Sequence, residues 1–170
     1  MSNVIKANPL YSGADQPAVI GKIYEQLFDD SSGNTMVRYL RCFKASGAVT
    51  AGSVVGITGS ATTHTLLSDM YTTGLAGIAH ATANLDKQRL YGVALAAVAD
   101  GEYGFCVCQG FVSVLAAGAT VEGDLLITSG ATAGEVLKDA ALAAGASNTC
   151  IGVALSTQAS GAVDAYISVM

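Results

Sequence analysis

The sequence has few charged residues for its length. Charged residues make up 12% of the 170 residues and apolar residues 51%, whereas soluble domains average about 25% charged. A folded monomer with so few charges is expected to expose apolar patches, and such patches usually mark contact with another protein. We therefore expect the protein to oligomerise or to join a larger assembly.

Basic residues are fewer than acidic ones, and the sequence shows neither a long apolar run nor the pattern of a secretory leader. Eight Lys and Arg face 13 Asp and Glu, a net charge of -5, so the chain lacks the basic stripe that neutralises phosphates and nucleic acid is not an expected partner. No apolar run approaches the about 20 residues that a membrane span needs. The opening residues MSNVIKANPL do not form a secretory signal. We expect synthesis in a cytoplasm, no membrane association and reduced cysteines.

Motifs that carry enzymatic chemistry are absent from the sequence. The stretch GITGSATT (56–63) is glycine-containing but has no lysine, so it predicts a loop and not a phosphate-binding P-loop. Neither a G-x-S-x-G nucleophile elbow nor H-E-x-x-H occurs. The acidic residues lie mostly in turns, where carboxylates are solvated. We predict no catalytic residue, no cofactor and no enzymatic activity.

A metal site has little support. The residues that could hold a metal are Cys42, His64, His80, Cys106 and Cys108. Zinc sites favour two closely spaced ligand pairs, and the second pair is missing here. Cys106 and Cys108, and likewise Cys150, are instead predicted to be buried thiols that pack as small hydrophobic groups. The two histidines are predicted to be structural, although a role in pH sensing remains open.

A calcium loop is suggested by one short stretch and then excluded. Asp29, Ser31, Gly33 and Asn34 follow part of the calcium-loop pattern. Tyr39 stands where such a loop needs a bidentate glutamate. The stretch therefore predicts a turn.

One pattern of glycines and apolar residues occurs twice in the chain. SGAVTAGSVVGITGS (46–60) corresponds to AGATVEGDLLITSG (117–130), and YGVALAAVADGEYGFCVCQG (91–110) corresponds to IGVALSTQASGAVDAYISVM (151–170). The matched positions are Gly47 with Gly118, Gly52 with Gly123, Val54 with Leu125 and Val55 with Leu126. The sequence predicts an internal pseudo-repeat with halves 46–115 and 116–170, the first carrying an insertion.

Each half is predicted to end in a β-hairpin. Ile151, Val153 and Leu155 alternate with small residues and are expected to line the core, and a second alternating strand follows the turn TQASG. The motif residues are Gly92, Val93, Leu95, Gly101, Gly123, Gly152, Val153, Leu155 and Gly161. Short strands separated by small residues predict an all-β fold, a sandwich or a barrel.

The remaining segments are predicted from their turn residues and composition. IYEQLF and MVRYLRCF flank DDSSGN, so residues 19–45 are predicted as a hairpin, although 16–30 could also be helical. Residues 133–148 are predicted as a short helix or an alanine-rich loop.

Residues 1–18 hold both prolines and no periodicity, and are predicted to be an extended N-terminal arm on a single all-β domain at 19–170. Candidate assembly contacts on the arm are Ile5, Pro9, Leu10, Tyr11 and Pro17.

The repeated motifs carry a family resemblance. The residues concerned are Gly118, Val121, Gly123, Leu125, Leu126, Ile127, Thr128, Gly152, Val153, Ala154, Leu155, Gly161 and Val169, echoed at Gly92 to Leu95 and Gly101. Over about residues 44–170 the chain resembles bacteriophage head decoration, or capsid cement, proteins, and is similar to small phage proteins with IGVAL motifs in both halves.

The resemblance implies a non-enzymatic virion protein, made in the host cytoplasm. It would bind the major capsid protein lattice on the capsid exterior, as a homotrimer, and stabilise an expanded icosahedral head.

Two alternatives to a decoration protein remain open. One is another self-assembling virion subunit, such as a tail tube or fibre. The other is a small-ligand or carbohydrate-binding β module, which is disfavoured because sugars stack on exposed aromatics and the chain has no Trp and 6% aromatic residues.

Overall fold

All regular secondary structure described in the computed structural model consists of β-strands. The structure describes residues 8–18, 22–30, 32–45, 47–57, 74–76, 90–129, 134–139 and 150–169. The strands are β1 (Ile23–Asp29), β2 (Thr35–Lys44), β3 (Val54–Ile57), β4 (Gly74–Ala76), β5 (Leu90–Ala94), β6 (Tyr103–Ala116), β7 (Leu125–Thr128), β8 (Val136–Lys138), β9 (Gly152–Ala154) and β10 (Gly161–Ser168). The predicted all-β class is confirmed. Within the described ranges no helix has the length and apolar character required to span a membrane.

Strands β1 and β2 form the hairpin expected around DDSSGN. They pair antiparallel over the whole length of β1. The carboxylate of Asp30 accepts hydrogen bonds from the backbone N–H groups of Ser32 and Asn34, both at 2.8 Å. These bonds, the Asn34 backbone bond foremost, lower the pKa of Asp30. Gly33 adopts a φ of 81°, which glycine reaches without the steric cost of a Cβ. The polar side chains of this segment therefore shape a turn.

The second half of the chain closes into a five-stranded barrel with the long strand β6. Around the ring, β6 pairs with β10, β10 with β9, β9 with β7, and β7 with β8. Strand β8 returns to β6 through a parallel contact between Ala116 and Val136. Of the two predicted architectures, the barrel is the one observed, and closure leaves the ring without open sheet edges.

Strand β6 is shared between the barrel and the first half of the chain. Its first part pairs with β2 and β5, whereas the part from residue 109 to 116 pairs with β10. Strand β5 pairs in turn with β3, and β3 with β4. Phe105 and Val107 belong to the main hydrophobic core, and Cys106 between them packs into a second cluster with Phe43 and Tyr91. Both faces of β6 are therefore buried here.

The two halves repeat each other's backbone hydrogen bonds. The order of pairing β4-β3-β5-β6 in the first half corresponds to β8-β7-β9-β10 in the second. The corresponding bonded pairs are Val49–Val98 with Thr120–Gln158, Gly52–Ala94 with Gly123–Ala154, and Ser53–Ala94 with Asp124–Ala154. The sequence repeat thus has a structural counterpart.

Two local predictions differ from the structure. Residues 136–138 form strand β8, so the helix or loop predicted over 133–148 is wrong there, and 140–149 lie outside the described residues. At β9, Ile151 is buried as predicted, but Leu155 is 38% exposed and the small Ala154 is in the core. The neighbouring strand β10 approaches β9 so closely at Gly152 that only small residues fit on that side.

Thr120 provides a test of the repeat. Its hydroxyl is buried and has no hydrogen-bond partner among the residues that the structure describes, and its counterpart Val49 has no hydroxyl. An unsatisfied buried hydroxyl costs about 1–3 kcal/mol, so Thr120→Val should raise the free energy of unfolding by about 1 kcal/mol in urea titrations. Thr157→Val serves as the control, because the Thr157 hydroxyl accepts a bond from the Glu122 N–H and its loss should not stabilise. A less stable Thr120→Val protein would contradict the prediction.

Candidate functional site

The described residues bring together no side-chain cluster suited to metal binding. No group of three or more His, Cys, Asp or Glu side chains there could hold a metal ion. His64 and His80 lie outside the described ranges. The calcium-loop candidates Asp29 and Asn34 belong to the hairpin turn, where Asp29 accepts a bond from the Thr35 hydroxyl at 2.8 Å.

The four cysteines are free thiols. Those of Cys106, Cys108 and Cys150 donate hydrogen bonds to backbone carbonyl oxygens. Cys42, Cys106 and Cys108 are buried, and the Cys108 thiol donates to the Tyr39 carbonyl at 3.2 Å. Burial raises the pKa of Cys42 to about 11 and also raises the pKa of Cys106 and of Cys108. Such thiols stay protonated and are poor nucleophiles. The buried-thiol prediction is confirmed for Cys106 and Cys108.

Cys150 was wrongly predicted to be buried, and its exposure can be measured. It is half-buried, and its thiol donates to the Gly152 carbonyl at 2.8 Å. Because a buried thiol reacts only after local opening, Cys150 should be alkylated by iodoacetamide at least about 100-fold faster than the other three in the folded protein. Mass spectrometry of the labelled peptides checks this, with urea-unfolded protein as the control that exposes all four. Rapid native labelling of Cys106 would contradict it.

A cavity of about 390 Å³ lies between β2 and the barrel. Apolar side chains, including Leu95 and Leu115, line it together with Arg38. The Arg38 guanidinium lies 4.4 Å from the centroid of the Phe28 ring, and its Nε donates to the side-chain Oε1 of Gln26 at 2.7 Å. Burial lowers the pKa of Arg38. The described residues that line this cavity include no carboxylate, imidazole or thiol. They offer an apolar wall and one positive charge, that of Arg38.

The candidate contact residues of the N-terminal arm have different surroundings. Ile5 lies outside the described residues, Pro9 and Pro17 are half-buried, and Leu10 is 58% exposed beside the cavity. Tyr11 packs against the main core of its own chain, and its hydroxyl donates to the Asp15 carbonyl at 2.7 Å. The backbones of Gly13 and Tyr103 also bond to each other at 2.8 and 3.3 Å. The described part of the arm therefore contacts its own domain.

The motif residues serve mainly to shape the strands and turns. Gly101, Gly123 and Gly161 have φ values of 78°, 90° and 89° in turns. The buried motif residues are Gly92, Val93 and Gly152, the half-buried ones are Leu95 and Val153, and the exposed ones are Gly101, Gly123, Leu155 and Gly161. The motif recurs because both halves need the same turns and the same buried strand positions.

Exposed apolar side chains form two surfaces that sequence reasoning did not identify. One, here called the hairpin surface, comprises Ile23, Leu27 and Val37 on β1 and β2, with Leu27 directly opposite Val37. Among the described strands β1 pairs only with β2, so one edge of this hairpin is open. The other, the Gly123 surface, comprises Val121, Gly123 and Leu155 at the turn before β7 and the end of β9. Alternation in the sequence could not find them, because exposed and buried apolar residues follow the same period.

Comparison with known proteins shows a related fold. No family model and no curated protein matches this sequence. Among solved structures, the chain is similar to the head fiber gp8.5 N base in bacteriophage phi29, known from a crystal structure. The two share 18% sequence identity at a TM-score of 0.50, over 76% of this chain and 93% of that chain. The all-β architecture described above is therefore shared with the base of a phage head fibre.

Proposed function

We propose that the protein is a structural component of a bacteriophage virion that binds the exterior of the head and decorates the major capsid protein lattice. The observation that carries this proposal is the fold likeness to the base of a phage head fibre. The resemblance of the repeated motifs to capsid decoration proteins supports the same location. In this role the protein is not an enzyme and needs no cofactor.

The surface of the chain is suited to assembly. Five of its large exposed apolar side chains lie on the hairpin surface and the Gly123 surface, namely Ile23, Leu27, Val37, Val121 and Leu155. Exposed apolar patches mark protein contacts. A stable association needs a buried interface of about 1,600 Å². A homotrimer at a threefold position would repeat that contact and add avidity without new chemistry. Preferential binding to the expanded lattice would then stabilise the head by mass action.

A head fibre base is a second candidate, favoured by the same structural likeness. A fibre base would bind the head and also carry a projecting partner, whereas a decoration protein would bind neighbouring capsid subunits and project nothing. The two roles share the head-binding step. They differ in whether density extends away from the protein in a cryo-EM map of the particle.

Co-sedimentation with expanded heads that lack the protein tests the proposal. We expect saturable recovery of the protein in the head pellet and little recovery with unexpanded heads. Absence of the protein from the pellet at micromolar concentration overturns head binding. Light scattering of the free protein tests the homotrimer, and a monomer at the same concentration counts against it.

A further inference from the structure

The repeat places the same glycine turn at two positions of the molecule. Gly52 and Gly123 have φ values of 79° and 90°. The Gly52 N–H donates to the Ala94 carbonyl at 2.8 Å, and the Gly123 N–H donates to the Ala154 carbonyl at 2.9 Å. The two turns are therefore equivalent in conformation and in their bonds to the following strand, so their surroundings can be compared directly.

The turn of the first half is covered by a strand. The Leu115 N–H on β6 donates to the Gly52 carbonyl at 2.9 Å. A Cβ placed on Gly52 would lie 3.3 Å from Leu115 Cγ and 3.3 Å from the Ser113 carbonyl oxygen. The apolar residue beside the turn, Leu95, is half-buried and packs against the main core. An extended apolar segment thus completes this face.

The equivalent turn of the second half, at Gly123, is not covered by the described part of the chain. A Cβ placed on Gly123 would meet nothing within 4 Å. No backbone N–H of the described residues donates to its carbonyl. Leu155, the counterpart of Leu95, is 38% exposed, and Val121 beside the turn is 53% exposed. Among the described residues, no segment covers in the second half the face that β6 completes in the first.

We propose that the Gly123 surface binds an extended, apolar segment of a partner polypeptide in the way that β6 covers Gly52. The segment donates a backbone N–H to the Gly123 carbonyl and lays an apolar side chain over Val121 and Leu155. Strand addition of this kind takes affinity from main-chain hydrogen bonds and specificity from the side chains alongside. For the identity of the partner, another protein of the virion, the inference rests on the proposed function.

Charge indicates which segments fit. Glu122 and Asp124 stand beside the open turn, where the first half has the uncharged Ala51 and Ser53. Asp164 is adjacent as well, since its carbonyl accepts the Leu155 N–H at 2.7 Å. Carboxylates at the rim favour a segment that carries Lys or Arg next to its apolar residues.

A second copy of this chain does not supply the covering strand from β6. The covering part of β6, residues 111–116, is committed to its own barrel through pairing with β10. Within it Val114 and Ala116 are buried, so they cannot be presented to a neighbour. Strand β6 of a second copy is therefore excluded as the occupant, and we assign the covering segment to a different polypeptide.

A peptide that imitates β6 tests the proposal. The probe is a fluorescently labelled peptide with the sequence of residues 111–116, FVSVLA, flanked by two lysines at each end. Fluorescence anisotropy with the full-length protein should show saturable binding that weakens as salt is raised. A matched peptide, N-methylated at the leucine, keeps every side chain but cannot donate the bond, and it should bind at least about tenfold more weakly.

Variants of the protein locate the binding site. Leu155→Asp should weaken peptide binding at least about tenfold. The control Leu27→Asp, at a leucine on the hairpin surface that is 59% exposed, should leave peptide binding within about twofold. Four outcomes overturn the inference: no saturable binding, equal binding of the methylated peptide, no effect of Leu155→Asp, or self-association of the free protein that Leu155→Asp abolishes. Head co-sedimentation of the unmodified protein is scored separately, so loss of the peptide site and loss of head binding are distinguishable.

Discussion

Gly152→Ala is expected to lower the free energy of unfolding by about 3 kcal/mol or more. An added Cβ would overlap the carbonyl oxygen of Tyr166 and lie 3.0 Å from the Cα of Ile167. Both obstacles are backbone atoms of β10, which is bonded to β9 on one side and β6 on the other. Unlike a flexible side chain, this backbone cannot move aside without breaking hydrogen bonds of the barrel.

Urea unfolding of Gly152→Ala and of a matched control measures the effect. At Gly118 an added Cβ would find its nearest neighbour, the Leu137 Cδ2, at 3.8 Å, and no left-handed φ is recorded. Gly118→Ala should therefore change stability by no more than about 0.5–1 kcal/mol, in the stabilising direction. Equal stabilities of the two variants would show that β10 yields at this position and would contradict the steric argument.

The same crowding occurs at the first G-V-A-L motif. A Cβ on Gly92 would overlap the carbonyl oxygen of Val107 and lie 2.9 Å from the Cys106 sulphur. In each half the glycine lies where its strand meets the next one of the repeat. The recurrence of the motif is thus explained by two close strand crossings, because only glycine leaves room for the facing backbone.

Local features of this fold were predictable from the sequence. Turns such as DDSSGN and the glycines at positive φ impose requirements that individual residues satisfy, and the alternation in β10 is visible because Val163, Ala165 and Ile167 are buried in the structure. The repeat was visible for the same reason, since equivalent turns need equivalent glycines. Turns, positive-φ glycines and strand alternation are set by residues close together in the sequence, which is why they could be predicted.

Barrel closure, the hairpin surface and the Gly123 surface could not be predicted from local sequence patterns. The ring is closed by a contact between Ala116 and Val136, which no local pattern specifies. Closure also decides which side of β9 faces the core. Leu155 was expected in the core because it is apolar, but the closed barrel places it on the surface. Tyr11, expected to contact a neighbour, packs on its own core. The candidate site became visible only when the two halves could be compared in three dimensions.

Phe105→Ala is expected to destabilise the whole molecule by about 3–5 kcal/mol in a single transition. Phe105 is 1% exposed in the main core, and its removal leaves a large cavity. It lies on the part of β6 that pairs with β2, whereas the other end of the strand belongs to the barrel. Because one strand serves both halves, loss of packing in the first half should also weaken the second.

Hydrogen exchange of the β10 amides separates global from local destabilisation. In Phe105→Ala their protection should fall by the same free energy as urea unfolding reports, since β10 opens only with β6. The control is Phe111→Ala on the same strand, where the ring is half-buried and meets the Tyr166 ring edge-on at 5.3 Å, and the cost should be about 1–2 kcal/mol. Unchanged β10 protection in Phe105→Ala would show that the halves unfold independently. The shared strand would then join the halves without coupling their stability.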